Sequence, residues 1–305
     1  MELDKLISGI RSGDIKSLAR AISLVENDTE GAQEILEQLT SNDTPVIGVT
    51  GPPGAGKSTL INAMVQKLVD DGKRVGVLCI DPTSPFNYGS LLADRIRMGD
   101  HFNHKGVFIR SLATRGSLGG LSAKTIEVVD VMKTAGFDLV IVETVGVGQS
   151  EVEIAGMADT TILVLVPESG DEIQAFKSGI MEIGDLFVVN KSDREGADHF
   201  VKHIETTINQ SASVSDKSGA WHPKVIKAVA ANGTGVAEIL KSAKEHYSST
   251  SNDKKAYLLA EKAFQLIQHR KMADYDKSHL QSKLNEALIR GDFNFYVFVN
   301  KLINK

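Results

Sequence analysis

Cysteine is almost absent from this chain of 305 residues. The one cysteine, Cys79, lies in the apolar run from Val75 to Ile80, so an internal disulfide is excluded and a reducing compartment is favoured. Long apolar runs are absent as well, since none approaches the roughly 18 residues that a membrane-spanning helix needs. The N-terminal residues Met1 to Asp4 carry acids where a secretory or organelle signal would carry bases. We therefore expect a cytoplasmic protein.

A strong charge of either sign is missing too. The formal net charge is −5, and 24% of the residues are charged. Such a mildly acidic chain is a poor general ligand for nucleic acids or anionic membranes, so we expect neither as a partner. Low-complexity tracts and repeats of solenoid period are also absent. With 42% hydrophobic residues, the chain has the size of one α/β domain with helical extensions.

From Val46 onward, short β-like runs alternate with helical stretches. The predicted strands are Val46–Thr50, Arg74–Ile80, Gly106–Ile109, Leu139–Glu143, Thr161–Val166, Leu186–Val189 and Lys224–Val229. This alternation predicts an α/β fold with a mostly parallel sheet that helices cover on both faces. In such a sheet, functional side chains are expected at the C-terminal ends of the strands.

A glycine-rich loop follows the first predicted strand. It reads Gly51-Pro52-Pro53-Gly54-Ala55-Gly56-Lys57-Ser58, and Thr59 continues into the next predicted helix. Glycines let backbone amides turn towards a polyphosphate, Lys57 can reach the β- and γ-phosphates, and the Ser58 hydroxyl can bind Mg²⁺. The order strand, loop and helix predicts a nucleoside triphosphate site. An ordinary glycine-rich turn, which is the alternative, would not require Gly-Lys-Ser at its end.

Carboxylates follow two other predicted strands. Glu143 ends the fourth strand, and Gly146 stands three residues later. This pattern matches the Asp-x-x-Gly element with which GTPases sense the γ-phosphate, with the acid exchanged, and Glu143 can hold Mg²⁺ directly or through water. Asp81 after the second strand and Asp94 in the next segment are further candidate metal ligands. A turn or cap for Asp81 and a solvated helix face for Asp94 remain open alternatives.

The segment Asn190-Lys191-Ser192-Asp193 follows the sixth predicted strand. Asn-Lys-x-Asp at such a position is the guanine-reading element of GTPases. The Asp193 carboxylate accepts hydrogen bonds from guanine N1–H and the exocyclic amine, while Asn190 contacts the ring edge and the Lys191 stem lies on its face. Ala230, Ala231 and Asn232 after the seventh strand resemble the loop whose amides contact guanine O6. These elements predict GTP rather than ATP.

Two longer segments have the composition of loops that rearrange. Residues 83–100 contain prolines, Gly89 and Asp94, and residues 110–124 combine glycines, hydroxyls and bases. Both suit segments that respond to the γ-phosphate. A plain surface loop is the alternative for the second segment.

Helical patterns flank the alternating region on both sides. Residues 1–44 are predicted to form an N-terminal helical extension, in which Asp14 caps a helix after the break at Gly13. Residues 45–247 form the nucleotide-binding domain, and residues 248–305 form a C-terminal helical arm. The arm's apolar stripes suit packing on the domain or a subunit interface, and we expect the interface.

Together these motifs resemble one family. The matching strings are Gly51–Ser58, Asp81–Ser84, Gly89–Met98, Gly116–Gly120, Val142–Glu151 and Asn190–Asp193. They are similar to the G-protein chaperones of methylmalonyl-CoA mutase, relatives of the signal-recognition-particle, MinD and nickel-insertase class of P-loop proteins. The resemblance spans almost the whole chain, and the string Val142–Glu151 is its most specific part.

The resemblance implies a P-loop NTPase sheet and a homodimeric GTPase. Such a protein escorts an adenosylcobalamin-dependent acyl-CoA mutase, and the cobalamin adenosyltransferase of that mutase is a further candidate partner. By resemblance, Lys57 and Ser58 bind phosphate and Mg²⁺, and the metal-site carboxylates are Asp81, Asp94 and Glu143. The guanine-reading residues are Asn190, Lys191 and Asp193, and the partner-sensing loop of the family maps to residues 170–177.

The chain departs from the family pattern at two positions. Residues 93–96 read Ala-Asp-Arg-Ile where many relatives have Gly-Asp-Lys-Thr, so Asp94 is kept while the residues on both sides of it differ. Thr83 replaces the first serine of an Asp-Pro-Ser-Ser pattern and keeps the hydroxyl.

The expected chemistry is slow GTP hydrolysis that a partner accelerates. Lys57 and Glu143 are the expected catalytic residues, and Gln149 is the candidate that positions the attacking water, because no glutamine directly follows Gly146. One alternative is an ATPase or kinase linked to arginine or ornithine transport, against which Asp193 argues. A GTPase that inserts a metal into an enzyme is the other, and the presence of only one cysteine counts against it.

Overall fold

The computed structural model describes residues 2–39, 43–81, 99–101, 104–113, 123–144, 154–167, 180–212, 221–249, 252–272, 277–289 and 293–303. The chain divides into two compact units, Met1–Lys262 and Ala263–Lys305. Within the described residues, no helix has both the length and the apolar character needed to cross a bilayer.

A seven-stranded sheet forms the centre of the first unit. Its strands are β1 (Val46–Thr50), β2 (Val75–Asp81), β3 (Val107–Ala113), β4 (Leu139–Glu143), β5 (Thr160–Leu165), β6 (Leu186–Val189) and β7 (Lys224–Lys227). All neighbours pair in parallel, in the order β3-β2-β4-β1-β5-β6-β7. The predicted parallel α/β sheet is confirmed. The strand order reverses at β1, and ligands of such sheets bind beyond the C-terminal ends of the strands at this point.

Helices precede, connect and follow the strands. The helices up to Ser249 are α1 (Glu2–Arg11), α2 (Ile15–Glu26), α3 (Ala32–Glu37), α4 (Lys57–Asp70), α5 (Ala123–Lys133), α6 (Ala197–Ala212) and α7 (Val236–Ser249). The C-terminal helices are α8 (Asn252–Met272), α9 (Lys277–Ile289) and α10 (Phe295–Ile303). Short 3₁₀ turns lie at Gly99–His101, Ile154–Gly156, Ile180–Glu182 and Ala230–Asn232.

Helix α2 begins as its sequence predicts. The Asp14 carboxylate accepts hydrogen bonds from the Ser17 amide at 2.9 Å and from the Ser17 hydroxyl at 2.7 Å, which satisfies an amide of the first turn. Four apolar residues at helical spacing are buried on one side of α2: Leu18, Ala21, Ile22 and Val25. This side packs on α5, so the N-terminal helices join the core of the first unit.

Alternate residues of the strands supply separate cores on the two faces of the sheet. Val46 and Val140 pack with the N-terminal helices and α5. Ile47 and Ile141, their neighbours along β1 and β4, pack with α4 and α7 on the opposite face. Both sets are buried, as the central strands of a parallel sheet require.

The loop predicted at residues 110–124 extends too far at both ends, into a strand at its start and into a helix at its end. Strand β3 continues to Ala113, and its pairs with β2 include Cys79 with Ser111 and Ile80 with Leu112. The polar Arg110 extends the strand because its guanidinium donates to Glu26 of α2 at 2.5 Å. Helix α5 begins at Ala123, and residues 114–122 lie outside the described residues.

Candidate functional site

The glycine-rich loop lies where the strand order reverses. Strand β1 ends at Thr50, and α4 begins at Lys57, so residues 51–56 form the connection. Gly56 adopts the left-handed conformation, and its carbonyl accepts the Leu60 amide at 2.9 Å. The first turn of α4 therefore presents backbone amides and the positive end of the helix dipole to the edge of the sheet, which is the arrangement that binds phosphate.

Close approach of the loop to other parts of the chain requires two of its glycines. A β-carbon on Gly51 would lie 2.2 Å from the Val164 carbonyl oxygen of β5. One on Gly56 would lie 2.4 Å from Nδ2 of Asn190. Both residues also have positive φ, at 138° for Gly51 and 86° for Gly56, which side chains disfavour. The loop therefore keeps its curvature only with glycine at these positions.

The Lys57 ammonium lies within the curve of the loop. Its Nζ donates to the Gly51 carbonyl at 2.8 Å and to the Pro52 carbonyl at 3.1 Å. The residue is 7% exposed. A buried ammonium is stable only with such acceptors, and phosphate oxygens are stronger acceptors than carbonyls because they carry charge.

A second pair of side chains meets beside the loop. The Ser58 hydroxyl donates to Oε1 of Glu143 at 2.6 Å, and both residues are buried. Glu143 ends β4, directly beside β1, and pairs with Val49 in the strand register. On its other side, Sγ of Cys79 lies 3.9 Å from Oε2 of Glu143. The two oxygen-bearing side chains, Ser58 and Glu143, are of the type that Mg²⁺ prefers.

The other two predicted metal ligands are less fully defined. Asp81 is the last residue of β2, at the same edge of the sheet as Glu143, and pairs with Ala113 of β3. Asp94 lies outside the described residues, as do Gly146 and Gln149. The partner-sensing segment at residues 170–177 also lies outside them.

Asn190 ties the phosphate loop to the turn after β7. Its Nδ2 donates to the Ala55 carbonyl at 2.8 Å, and its Oδ1 accepts the Ala230 amide at 3.0 Å. All three residues are buried. The sequence pattern predicts a contact with the base for Asn190, whereas the geometry also makes this side chain the link between two nucleotide-facing loops.

Lys191 and Asp193 lie on the outer side of this link. Lys191 adopts a positive φ of 55°, and its Nζ donates to the Gly54 carbonyl at 2.9 Å. A left-handed lysine costs on the order of 1 kcal/mol or more, and such residues cluster at ligand-binding sites. The Asp193 side chain is exposed beside them. The segment therefore presents a carboxylate to solvent next to the phosphate loop.

The turn after β7 completes this edge of the site. Ala230–Asn232 form a 3₁₀ turn in which the Asn232 amide donates to the Val229 carbonyl at 3.1 Å. The Asn232 side chain accepts the Thr234 amide at 3.1 Å. Ala231 is exposed at the tip of the turn.

Sequence reasoning missed two features of the site. One is the link that Asn190 makes, and the other is the approach of Cys79 to Glu143. The second could have been found from strand register, because Cys79 and Glu143 are paired residues of neighbouring strands.

We expect Asn190→Ala to lower the free energy of unfolding by about 2–4 kcal/mol, because it leaves two buried groups without their side-chain partner. These groups are the Ala55 carbonyl and the Ala230 amide. Urea unfolding of the nucleotide-free protein measures the change. Asn232→Ala is the matched control, since the Asn232 side chain is exposed. Equal losses in both variants would contradict the proposed link.

The glycine-rich loop after β1 is hydrogen-bonded to Asn190 and Lys191. Together the loop and the segment Asn190–Asp193 define a P-loop nucleotide hydrolase of the GTPase type. The family described as methylmalonyl Co-A mutase-associated GTPase MeaB matches residues 18–284. The chain belongs to this family and is a GTPase.

Individual relatives and a solved structure are similar to this chain over most of its length. GTPase ArgK of Escherichia coli is 35% identical over 303 residues, which cover 96% of this chain and 88% of that protein. The mitochondrial methylmalonic aciduria type A homolog of Mus musculus is 36% identical over 259 residues, covering 80% of this chain and 62% of that protein. The crystal structure of a LAO/AO transport system kinase superposes with a TM-score of 0.64 at 26% identity, covering 99% of this chain and 96% of that one.

Proposed function

We propose that this GTPase is a chaperone of an adenosylcobalamin-dependent acyl-CoA mutase, with methylmalonyl-CoA mutase as the client, in cofactor loading and protection. The observation that carries the proposal is the family match over residues 18–284, whose description names association with that mutase. The name of the mouse relative refers to the corresponding metabolic disorder, which supports the same assignment.

In this proposal, hydrolysis depends on positioning and on neutralising charge. The Lys57 ammonium, which donates to the Gly51 and Pro52 carbonyls, exchanges these acceptors for β- and γ-phosphate oxygens when GTP binds. The amides of the loop and of the first turn of α4 donate to the same phosphates. The chain thereby stabilises the negative charge that develops as the γ-phosphoryl group leaves.

Ser58 and Glu143 fit a Mg²⁺ site, because a hydroxyl and a carboxylate already meet at 2.6 Å beside the phosphate loop. We assign these two residues to the ion, with Asp81 and Asp94 as the further carboxylates of the site. When bound, Mg²⁺ supplies positive charge to the β- and γ-phosphate oxygens. The other oxygen of the Glu143 carboxylate, Oε2, lies 3.9 Å from Sγ of Cys79.

Glu143→Gln should raise the Mg²⁺ concentration needed for half-maximal GTP hydrolysis by about tenfold or more, a typical effect of altering a metal's surroundings. The substitution keeps the size of the side chain and an acceptor for Ser58 but removes the negative charge. Glu205→Gln, at an exposed position of α6, is the control and should leave the requirement unchanged. A Glu143→Gln protein with an unchanged Mg²⁺ requirement would rule out this role.

The guanine base is bound by the segment Asn190–Asp193, which is hydrogen-bonded to the glycine-rich loop. The exposed Asp193 carboxylate accepts from guanine N1–H and the exocyclic amine, and the Lys191 stem covers the ring. Of the three residues in the 230–232 turn, Ala231 is assigned to guanine O6, because Asn190 and Val229 accept the amides of Ala230 and Asn232. Asn190 contributes by fixing the positions of both loops.

Turnover by the protein alone is expected to be slow. A Ras-like enzyme positions its water with a glutamine after the glycine of its Asp-x-x-Gly element, whereas here Val147 follows Gly146 and Gln149 is the candidate. GTP and GDP then bias two conformations, of which the mutase or its adenosyltransferase binds one better.

Capture from native extract tests the chaperone role. The full chain loaded with a non-hydrolysable GTP analogue serves as bait, and the same chain loaded with GDP serves as the parallel bait. A cobalamin-dependent mutase or a cobalamin-loading enzyme should be retained in unequal amounts by the two. If a bait of proven nucleotide occupancy retains neither enzyme, the chaperone role fails while the GTPase assignment stands.

The name of the solved transport kinase favours a second candidate, an ATP-dependent kinase or ATPase linked to amino-acid transport. The exposed carboxylate of Asp193 argues against it, since adenine has an acceptor at N1 and no amine at C2. The two candidates differ in the nucleotide that they bind, GTP for the chaperone and ATP for the kinase or ATPase, so the relative affinities for GTP and ATP distinguish them.

We propose a division of the chain into an N-terminal extension at residues 1–44, a GTPase domain at residues 45–247, and the arm of a homodimer at residues 248–305. In the second unit, large apolar side chains are exposed, including Ile289 at 86% and Tyr296 at 77%. Exposed apolar residues in such numbers mark interaction surfaces.

Replacing Ile289 and Tyr296 together by lysine should convert the dimer to a monomer, because the charges would have to be buried at the interface. Sedimentation velocity of the full chain measures the change. Thr206→Lys, on the exposed side of α6, is the control for an added charge. Wild-type protein that sediments as a monomer would refute the arm assignment.

A further inference from the structure

We propose that a groove between α4 and α7 binds a small amphipathic carboxylate, a ligand with an apolar body and a negatively charged head group. The groove encloses about 570 Å³, within the usual range of small-molecule sites. It lies at the N-terminal ends of the strands, where Ile47 follows the first residue of β1 and Leu139 begins β4. The phosphate loop follows the opposite end of β1, so the groove is separate from the nucleotide site.

Apolar side chains form the floor of the groove. Ile47 and Leu139 contribute from the sheet, Leu68 from the last turn of α4, and Leu240 and Ala243 from α7. An apolar concave surface of this kind gains free energy when it takes an apolar group out of water. The floor therefore selects the body of the ligand.

Lysines dominate the rim of the groove. Among the described residues, four lysines line the groove but only two carboxylates do: Lys67, Lys73, Lys241 and Lys244 against Asp71 and Asp138. The excess of positive charge at the rim of an apolar groove selects an anion. A lysine stem can also lie along the apolar wall while its ammonium stays at the rim.

The lysines differ in the positive charge that they leave available. Lys67 pairs with Asp71 at 2.5 Å, and Lys73 pairs with Asp138 at 2.9 Å. The Arg74 backbone amide, together with Lys73, holds the pKa of Asp138 below its usual value, so this carboxylate is charged near neutral pH.

The positive charges of the lysines on α7 are less fully neutralised by neighbouring carboxylates. Lys241 lies 4.0 Å from Glu245, at the limit of an ion pair, and Lys244 is exposed without a paired carboxylate among the described residues. The head group is therefore assigned to the α7 side of the rim, beside Lys241 and Lys244.

Calorimetric titration of the full chain, saturated with GDP and Mg²⁺, tests the site with two probes of equal chain length. Decanoate carries the proposed head group, and decylammonium carries the opposite charge on the same apolar body. We expect saturable binding of one decanoate per chain. The affinity for decylammonium should be at least about tenfold lower, because the lysines of the rim attract the carboxylate of decanoate and repel the ammonium of decylammonium. Saturation with GDP excludes binding at the nucleotide site.

Two variants locate the binding in the groove. Ala237→Trp should abolish decanoate binding, since Ala237 lines the groove at an exposed position of α7 and the indole would occupy its space. Lys244→Glu should weaken binding by about three- to tenfold, as expected for reversal of one exposed charge. Lys202→Glu, at an exposed position of α6, is the matched control and should leave affinity unchanged. Unchanged GDP affinity in all three proteins shows that they are folded.

Three results would overturn the proposal. They are the absence of saturable decanoate binding, equal affinity for decylammonium, and binding that neither Ala237→Trp nor Lys244→Glu alters. Equal affinity would indicate an apolar surface for a protein partner instead. None of these results bears on GTP binding, so the proposed function would be unaffected.

Discussion

Asp193→Asn should convert the protein from one that binds GTP to one that prefers XTP. The Asp193 carboxylate can only accept hydrogen bonds, which matches the two donors of guanine at N1 and the C2 amine. An asparagine offers one acceptor and one donor, which matches N1–H and the C2 carbonyl of xanthine. Because hydrogen bonds to charged groups contribute about 1.5–3 kcal/mol, the loss of GTP affinity should be about 100-fold or more.

Displacement of a fluorescent nucleotide measures both affinities in the wild-type protein and the variant. Asp198→Asn is the matched control, because Asp198 is an exposed aspartate of α6 that pairs with Lys227 at 2.7 Å. This control should keep the wild-type preference for GTP. If Asp193→Asn binds GTP as tightly as the wild-type protein does, the assignment of Asp193 to the base is wrong.

Lys57→Ala should lower the rate constant of GTP hydrolysis by about 10²- to 10³-fold, the usual cost of removing one group that stabilises transition-state charge. The Lys57 ammonium lies inside the loop, 2.8 Å from the Gly51 carbonyl, where the β- and γ-phosphates are expected. No other lysine or arginine of the described residues is assigned to that position. Phosphate release at saturating GTP and Mg²⁺ measures the rate.

Lys67→Ala on the same helix provides the control for Lys57→Ala. Lys67 lies in the last turns of α4, at the far end from the phosphate loop, and pairs with Asp71. Its removal should leave the rate within about twofold, since surface ion pairs contribute little. A reduction of less than threefold in Lys57→Ala, with normal GTP binding, would show that this ammonium does not act on the phosphates.

The sheet and the phosphate loop could be predicted because their signals are local. The apolar run at Val46–Thr50 ends where the glycines begin, and Gly-Lys-Ser marks the start of α4, so strand, loop and helix have sharp boundaries. The end of β3 could not be predicted in this way. The polar Arg110 can lie in this strand because Glu26 accepts a hydrogen bond from its guanidinium. Glu26 lies 84 residues earlier in the sequence, so a prediction from neighbouring residues does not include this contact.

The same distinction applies to the site. The residue types at Lys57, Ser58, Glu143 and Asp193 indicate chemistry by their spacing alone. The double contact of Asn190 joins segments 135 and 40 residues away, so only the folded chain reveals it. Contacts between Ser58 and Glu143 depend likewise on β1 and β4 being neighbours, which the strand order decides.

The groove between α4 and α7 had no sequence signal. Its apolar residues, such as Leu68 and Leu240, occur at the spacing of ordinary amphipathic helices, which predicts burial against the sheet. Lysines of the rim, such as Lys241 and Lys244, look like a solvated face in sequence. Their convergence on one cavity follows only from the packing of the two helices.

Nucleotide competition with the wild-type protein tests the central claim, that this site is built for guanine. Fluorescent GDP is bound in the presence of Mg²⁺ and displaced by GTP, GDP or ATP. We predict that GTP and GDP displace it at concentrations about 100-fold or more below those needed for ATP, because adenine offers Asp193 neither donor. Displacement by ATP at the same concentrations as GTP would contradict the account and favour an ATP-dependent kinase or ATPase.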